Sequence, residues 1–361
     1  MAEIQDSPAG TRESISDGDR VTQLDENAFS KLNQQAFQKN ATTSQLDPAI
    51  AAVLGKDDTV IGVYKDETST WAETMRIDAV SLDGEPRSYF LKTVSAENAA
   101  ERVYGEFQAM SEIFKTLPAI APQPRGYGEY QNRKGTYFFV CDYLNITHRL
   151  PDPERLGKKL AELHHKSRSP NGQFGFHCTT FDGEKPLNTT WDSNWTSFFQ
   201  RLLNDVYQLE KKANGLWQPL EDVMRITLDQ LIPRLLDPLM ADGRTIKPCL
   251  IHGDLWESNI GTDEKTNETY IFDACAYYAH HEKEVGIWRV AHHQMIDERY
   301  QREYFKNYPP SEPVEEVDDR NCLYAVETLL VNSLAFPGAK TRQLAYEESK
   351  FLINKFLPGS L

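Results

Sequence analysis

Cys249–Cys275 reads CLIHGDLWESNIGTDEKTNETYIFDAC, and this stretch decides how the rest of the chain is read. Leu250 and Ile251 end a short β-prone run, and His252-Gly253-Asp254-Leu255-Trp256-Glu257-Ser258-Asn259 is loop text. Thr262–Glu268 reads as a hairpin turn and Tyr270–Asp273 as the returning strand. In that arrangement Asp254, Asn259 and Asp273 converge at one end of a two-stranded ribbon. Such a set suits phosphoryl transfer, which needs a carboxylate to orient or deprotonate a hydroxyl and oxygen ligands for Mg²⁺ on a nucleotide.

Upstream, Thr59 to Thr93 consists of short β-prone runs, with Asp83-Gly84 between two of them as a hairpin signal. Lys92 ends the apolar strand Tyr89-Phe90-Leu91. A helix is predicted from about Ser95 to Leu117, with Ser95 as its N-cap and Glu97 in its first turn. At about 100° per residue, Ala99, Val103, Phe107, Met110, Phe114 and Leu117 form one apolar stripe. Glu106 sits at the edge of that stripe, whereas Glu97, Glu101 and Glu112 point away. A strand lysine paired with a helix glutamate at a buried edge can hold nucleotide phosphates.

Farther out, the chain is β-rich in its first third and helical afterwards, interrupted by the one hairpin quoted above. Residues 1–45 are rich in Gln, Asn, Ser, Thr and Asp and read as a flexible segment with a short helix near Ala28–Phe37. The 361 residues include sixteen Tyr, seventeen Phe and six Trp, enough aromatic surface to argue against a disordered chain. A net charge of −15 argues against a nucleic-acid partner, which would be bound by clustered Lys and Arg. No apolar run approaches the ~20 residues that span a bilayer. The first twenty residues carry several acids and no apolar core, which points away from a signal peptide and toward the cytoplasm. Cys141, Cys178, Cys249, Cys275 and Cys322 are scattered, odd in number and never in a CxxC pair, so reduced thiols are expected. The pairs His164-His165, His280-His281 and His292-His293 are poor chelates, because neighbours on a helix point about 100° apart.

HGDLWESN resembles the catalytic loop of the protein-kinase-like small-molecule kinases, and the Trp after HGDL makes it similar to the fructosamine (ketosamine) 3-kinase family in particular. Phe174-Gly175-Phe176-His177 and Asn194-Trp195-Thr196-Ser197-Phe198-Phe199 are similar to that family's FGFH and W-x-x-FF stretches. Ile271–Ala274 through Tyr277–Glu284 is similar to its D-P-A-S-x-Y-G-H-x-E-x-E segment, and Gly105-Glu106 to its G-E pair. The resemblance covers about residues 59–330. It implies an α+β, two-lobed protein-kinase-like fold, with a small β-rich lobe over 46–144 and a larger helical lobe over 145–361. It also implies Asp254 as catalytic base, Asn259 and Asp273 as Mg²⁺ ligands, Lys92 on the ATP phosphates and Glu106 orienting Lys92. Cys141-Asp142-Tyr143-Leu144 resembles the hinge whose backbone reads adenine, which makes Asp142 and Leu144 nucleotide-binding candidates. Trp195, Trp256, His280 and Glu282 are the candidates for shaping a ketosamine pocket. The implied activity is ATP-dependent phosphorylation of a ketosamine 3-hydroxyl, on a glycated protein or a free amine; a monomer is expected, and charge and apolar content point away from nucleic-acid and membrane partners.

Three departures stand out. The expected glycine-rich phosphate loop reads Lys65-Asp66-Glu67-Thr68-Ser69-Thr70-Trp71, where Ser69 and Thr70 could offer hydroxyls instead. Ala274 replaces the Pro after the metal-binding Asp, and Ala279 replaces the Gly before His280. The rival readings are an aminoglycoside- or choline-type kinase and a non-catalytic pseudokinase that serves as a binding module. His252 is expected to hold its loop by hydrogen bonding, and Cys275 to be an inert packed thiol.

Overall fold

A computed structural model describes residues 46–68, 72–147 and 149–361. The short helix expected near Ala28–Phe37, the flexible segment 1–45, and Ser69, Thr70 and Trp71 lie outside the described residues.

The β-rich third folds as one antiparallel sheet of β1 (Thr59–Thr68), β2 (Glu73–Val80), β3 (Pro86–Val94), β4 (Pro124–Glu129) and β5 (Tyr137–Asp142), ordered β1-β2-β3-β5-β4. The β2–β3 connection contains the Asp83-Gly84 pair, and Gly84 takes the positive φ of 85° that suits it to a tight turn. One face of this sheet makes a small core of Ile77, Tyr89, Leu91, Phe138 and Val140 beneath the one-turn helix α1 (Pro48–Ala51), which contributes Ile50. The other face turns toward α2 (Ala99–Thr116) and belongs to the main core through Val94, Phe139 and Cys141.

Ser95 does not cap α2. The chain needs a turn to leave β3, so the cap position falls at Asn98, and the Ser95 hydroxyl donates to Thr136 Oγ1 instead.

The chain passes from the first sheet to the second between Asp142 and Ile146. Here β6 (Ile146–Thr147) joins β10 (Ile260–Asp263) and β11 (Thr269–Ile271) in the order β11-β10-β6. The sequence suggested one ribbon in this region, but there are two. β9 (Cys249–Ile251), buried at every position, pairs with the equally buried β12 (Tyr277–Ala279) rather than with β11. A run with no polar alternation needs cover on both faces, and β12 supplies the matching apolar strand. A further hairpin, β7 (Thr180–Asp182) and β8 (Lys185–Leu187), lies outside the sequence expectation.

The remaining helices are α3 (Pro153–Lys166), α4 (Trp195–Asn214), α5 (Gln218–Ile226), α6 (Ile232–Leu236), α7 (Glu298–Asn307), α8 (Val317–Ala335) and α9 (Thr341–Phe356). α8 is buried almost all round, packed by α4, α9 and the 281–289 segment. This α+β arrangement, an antiparallel sheet followed by a helical body, leaves the β9–β12 segment facing the end of β3.

Candidate active site

Alternation along β3 sends Tyr89 and Leu91 to the small core and Phe90, Lys92 and Val94 to the α2 side. Lys92 thereby reaches Glu106, two turns into α2, at 2.9 Å, and Asp273, just past β11, at 2.5 Å. Three segments distant in sequence meet on one ammonium. Burial disfavours charge on Lys92, but the Asp273 and Glu106 carboxylates outweigh it and hold the ammonium above the ordinary lysine range. Two carboxylates share that ammonium, and they fare differently. Burial pushes Glu106 up to about 7 against the pull of Lys92. Asp273 has lost part of its hydration although half-exposed, yet Lys92 holds it below the usual carboxylate value. Asp273 adopts φ 60°, a left-handed conformation that costs a non-glycine residue on the order of 1–3 kcal/mol and often marks a functional position.

The 252–259 loop is fixed from inside. His252 is fully buried, and burial keeps its imidazole neutral. Its Nδ1 accepts from the Asp254 N–H at 3.3 Å, and its Nε2 donates to Phe272 O at 2.9 Å, the tautomer these two partners require. Gly253 has φ 89°, and a Cβ there would lie 2.7 Å from Cys275 Sγ and 2.9 Å from Cys275 O, so only glycine fits. Asn259 donates its amide to Asp254 O at 2.8 Å and Asp254 Oδ2 at 2.9 Å, which turns its own oxygen outward. Burial raises Asp254 well above the ordinary carboxyl value, with the Asp182 and Asp273 carboxylates adding to the rise.

Lys92, Glu106, Asn259 and Asp273 line one cavity of about 340 Å³, together with Phe90, Phe139, Leu144 and Phe272. Its apolar walls and single polar end suit a ring system carrying a charged tail. Larger hollows lie at Phe176–Trp191 against α4, about 670 Å³, and beside Arg149–Arg155, about 400 Å³, but neither holds this constellation. The Asn259 amide oxygen and the half-exposed Asp273 carboxylate are hard oxygen donors and fit a divalent cation such as Mg²⁺.

At the edge of the cavity the N–H groups of Asp142 and Tyr143 are already bonded, to Gln123 O and Ser88 O. The Asp142 carboxylate is held by Arg125 at 2.5 and 3.0 Å, so its side chain turns to the protein. Leu144, by contrast, donates its N–H to nothing among the described residues.

Three of the four candidates for a substrate pocket are corrected by their burial. Trp195 has no exposed surface and donates Nε1–H to Tyr324 OH at 2.9 Å. It belongs to the Trp195, Phe198, Phe199 stripe that binds α4 to the core. His280 is buried between Tyr324 OH and Ser311 Oγ, at 2.9 and 2.8 Å. Glu282 is buried in a two-point ion pair with Arg320, at 2.7 and 2.9 Å, and also accepts from Ser311 N. These side chains spend their polar atoms on partners within the body of the protein and present no surface to a ligand. Trp256 alone keeps accessible surface, packed against His293 two residues beyond Asp254. His280, His281 and Glu282 lie close enough to suggest a metal cluster, but each spends its polar atoms on the partners above or, for His281, on Tyr304 and Ser311.

Sequence reading passed over Glu284. Its carboxylate accepts the His252 N–H at 2.5 Å and the Gly253 N–H at 3.1 Å, so it clamps the loop that carries Asp254. The signal was within reach in His281-Glu282-Lys283-Glu284, but nothing there distinguishes the acid that faces Arg320 from the acid that faces the loop. Asp182 and the buried Lys283–Glu327 pair, 3.0 Å apart, were also missed.

The fructosamine kinase family model matches residues 59–354. A protein-ribulosamine 3-kinase, chloroplastic, of Arabidopsis thaliana is 30% identical over 239 residues, covering 66% of this chain and 68% of that protein. A ketosamine-3-kinase of Mus musculus is 28% identical over 231 residues, covering 57% and 71%. Among solved structures, a putative fructosamine-3-kinase from Thermobifida fusca superimposes with a TM-score of 0.66 at 20% identity, over 86% of this chain and all of that one. A thermostable mutant of aminoglycoside phosphotransferase APH(4)-Ia, in ternary complex with AMP-PNP and hygromycin B, gives 0.55 at 14% identity over 86% and 98%. The strand lysine, helix glutamate and HGDLWESN loop thus stand on a fold shared with small-molecule kinases, and the chain belongs to the fructosamine kinase family.

Proposed function

We propose that the protein transfers the γ-phosphoryl of Mg·ATP to the 3-hydroxyl of a ketosamine, a ribulosamine or fructosamine adduct on a protein lysine or a free amine. The observation that carries this reading is the meeting of Lys92, Glu106 and Asp273 at the closed end of a nucleotide-sized cavity, beside Asp254 and Asn259. In this reading Lys92 takes the ATP phosphates, with Glu106 keeping it in place. The adenine lies along Leu144, whose N–H, unbonded among the described residues, is the hinge donor, and Asp142 contributes only its backbone. Asn259 and Asp273 would hold Mg²⁺, which supplies charge neutralisation on the phosphates. Asp254, raised by burial and neighbouring acids, accepts the hydrogen bond of the acceptor hydroxyl and receives its proton as transfer proceeds. Catalysis would then rest mainly on positioning and preorganised charge.

The phosphorylated adduct would release the amine, which makes deglycation the consequence. No helix among the described residues is long and apolar enough to cross a membrane. The five cysteines are unpaired, which suits a reducing compartment such as the cytoplasm.

The test is ATP consumption by the purified protein with Mg²⁺, in parallel with ribulosyl-lysine, fructosyl-lysine and no acceptor. Acceptor-dependent turnover is expected and ranks the two sugars. ATP binding without turnover on either sugar moves the substrate to another class, with hygromycin B and choline as the next acceptors.

A further inference from the structure

Asp182, at the end of β7, plays no part in the scheme above. Thr180 and Asp182 are two residues apart on a strand, so they project from the same face. The Thr180 hydroxyl donates to Cys275 O at 3.0 Å, and the Cys275 N–H donates to His252 O at 3.0 Å. That face of β7 therefore looks onto the segment carrying Gly253 and Asp254. The hairpin is pinned there from behind. Gly105 of α2 packs so closely that a Cβ would lie 2.6 Å from Thr179 O, and Asn98 donates to Glu184 O at 3.3 Å.

The Asp182 carboxylate makes no hydrogen bond or ion pair with any described residue. Its electrostatic neighbours are Asp254, Asp273 and Glu327 on the negative side and Lys283 and Lys185 on the positive side. Lys283 is already committed to Glu327 at 3.0 Å in the buried interior. Lys92 is committed to Glu106 and Asp273. Burial, with Glu327 adding to it, pushes Asp182 up to about 7. A carboxyl held in this way costs stability and gives a neutral polyol no special attraction. An acceptor that brings its own ammonium beside Asp254 relieves that cost.

We propose that Asp182 receives the protonated amine of the acceptor, so that the site selects hydroxyls separated from an ammonium by a short carbon stretch. This deepens, and rests on, the ketosamine reading. In a ketosamine the amine and the 3-hydroxyl stand at the two ends of a three-carbon stretch, so one molecule can reach Asp182 and Asp254 together. The inference concerns recognition, and Asp182 takes no part in proton transfer.

The experiment compares kcat/KM for ribulosyl-lysine and for its analogue with an ether oxygen in place of the secondary amine, in the wild type, Asp182→Asn and Asp182→Glu. Thermal unfolding of each variant checks its folding. The wild type should favour the amine by about tenfold or more, the range of one charged hydrogen bond. Asp182→Asn should raise KM for ribulosyl-lysine by that factor, leave the ether analogue and KM for Mg·ATP nearly unchanged, and so erase the preference. Asp182→Glu should restore most of it. A preference that survives in Asp182→Asn, or an equal loss on both acceptors, overturns the assignment while the ketosamine reading stands. A wild type that binds Mg·ATP but turns over neither acceptor overturns the ketosamine reading, and the assignment with it.

Discussion

At Asp254 the chemistry narrows to one oxygen. Oδ2 is engaged by Asn259 at 2.9 Å, which leaves Oδ1 for an acceptor hydroxyl. Asp254→Asn preserves shape and the scaffold around it but removes the carboxylate proposed as proton acceptor. It should lower kcat by about 10²–10⁴-fold while leaving Mg·ATP affinity, read by calorimetry, within a few-fold of the wild type. A near-normal rate would remove Asp254 from the role of base. Glu284 acts at one remove. Glutamine there keeps one acceptor for two backbone N–H groups and offers an amide where a second acceptor was needed, so one buried donor is orphaned at a cost of about 1–3 kcal/mol. Glu284→Gln should therefore reduce kcat by about 10–100-fold through misplacement of the loop, with KM for ATP little changed. A uniform rise in both KM values would point to general loosening instead.

Among the elements, α2 does two jobs with one face. Its stripe was legible because Ala99, Val103 and Met110 repeat at helical spacing, and they are buried as that spacing requires. Glu106 at the stripe's edge meets Lys92 for the same reason. What periodicity could not register is the contact of Gly105 with the β7 backbone, because it depends on a hairpin of two three-residue strands. Gly105→Ala gains helix propensity of about 1 kcal/mol but drives a methyl to 2.6 Å from Thr179 O and 3.3 Å from Thr180 Cα. Backbone on the far side cannot swing away, so the variant should lose about 1–3 kcal/mol in a denaturant titration. It should also raise KM for Mg·ATP, because Glu106 is the next residue. Stability equal to or above the wild type would mean that the hairpin yields.

The same limit explains where the site reading failed. Motif order brought Lys92, Glu106, Asn259 and Asp273 to one cavity, since each stands where strand alternation, helix phase or loop position already aims it. Trp195, His280 and Glu282 look identical in sequence whether they face a ligand or the interior. Their orientation is set by Tyr324, Ser311 and Arg320, which lie between 29 and 129 residues away.

On the scale of the whole molecule, the helical body is built around histidines that burial keeps neutral. His164, His252, His280, His281 and His293 are all shifted below the ordinary imidazole value, with burial the largest cause, His293 to about 4. A histidine whose folded value is depressed takes up a proton in the unfolded chain first. It therefore removes stability as pH falls below about 6.5, at up to about 1.4 kcal/mol per pH unit. Glu106 and Asp182, raised to about 7, and Asp254, raised well above its ordinary value, act in the opposite sense. Each takes up its proton at a higher pH in the folded protein than in the unfolded chain, so acidification relieves them. With five depressed histidines against three raised carboxyls, the expected net effect is that the unfolded chain binds more protons as the pH falls below about 6.5. The urea midpoint of the nucleotide-free protein should accordingly fall across that window, before the surface carboxylates titrate. His280→Gln offers an internal check, since a neutral amide can bond to Tyr324 or Ser311 without titrating. Its midpoint should start lower at pH 7.5 and decline less steeply toward pH 5. A wild-type midpoint that is flat or rising on acidification would show that the cleft carboxyls, rather than the buried imidazoles, govern the protein's response to acid.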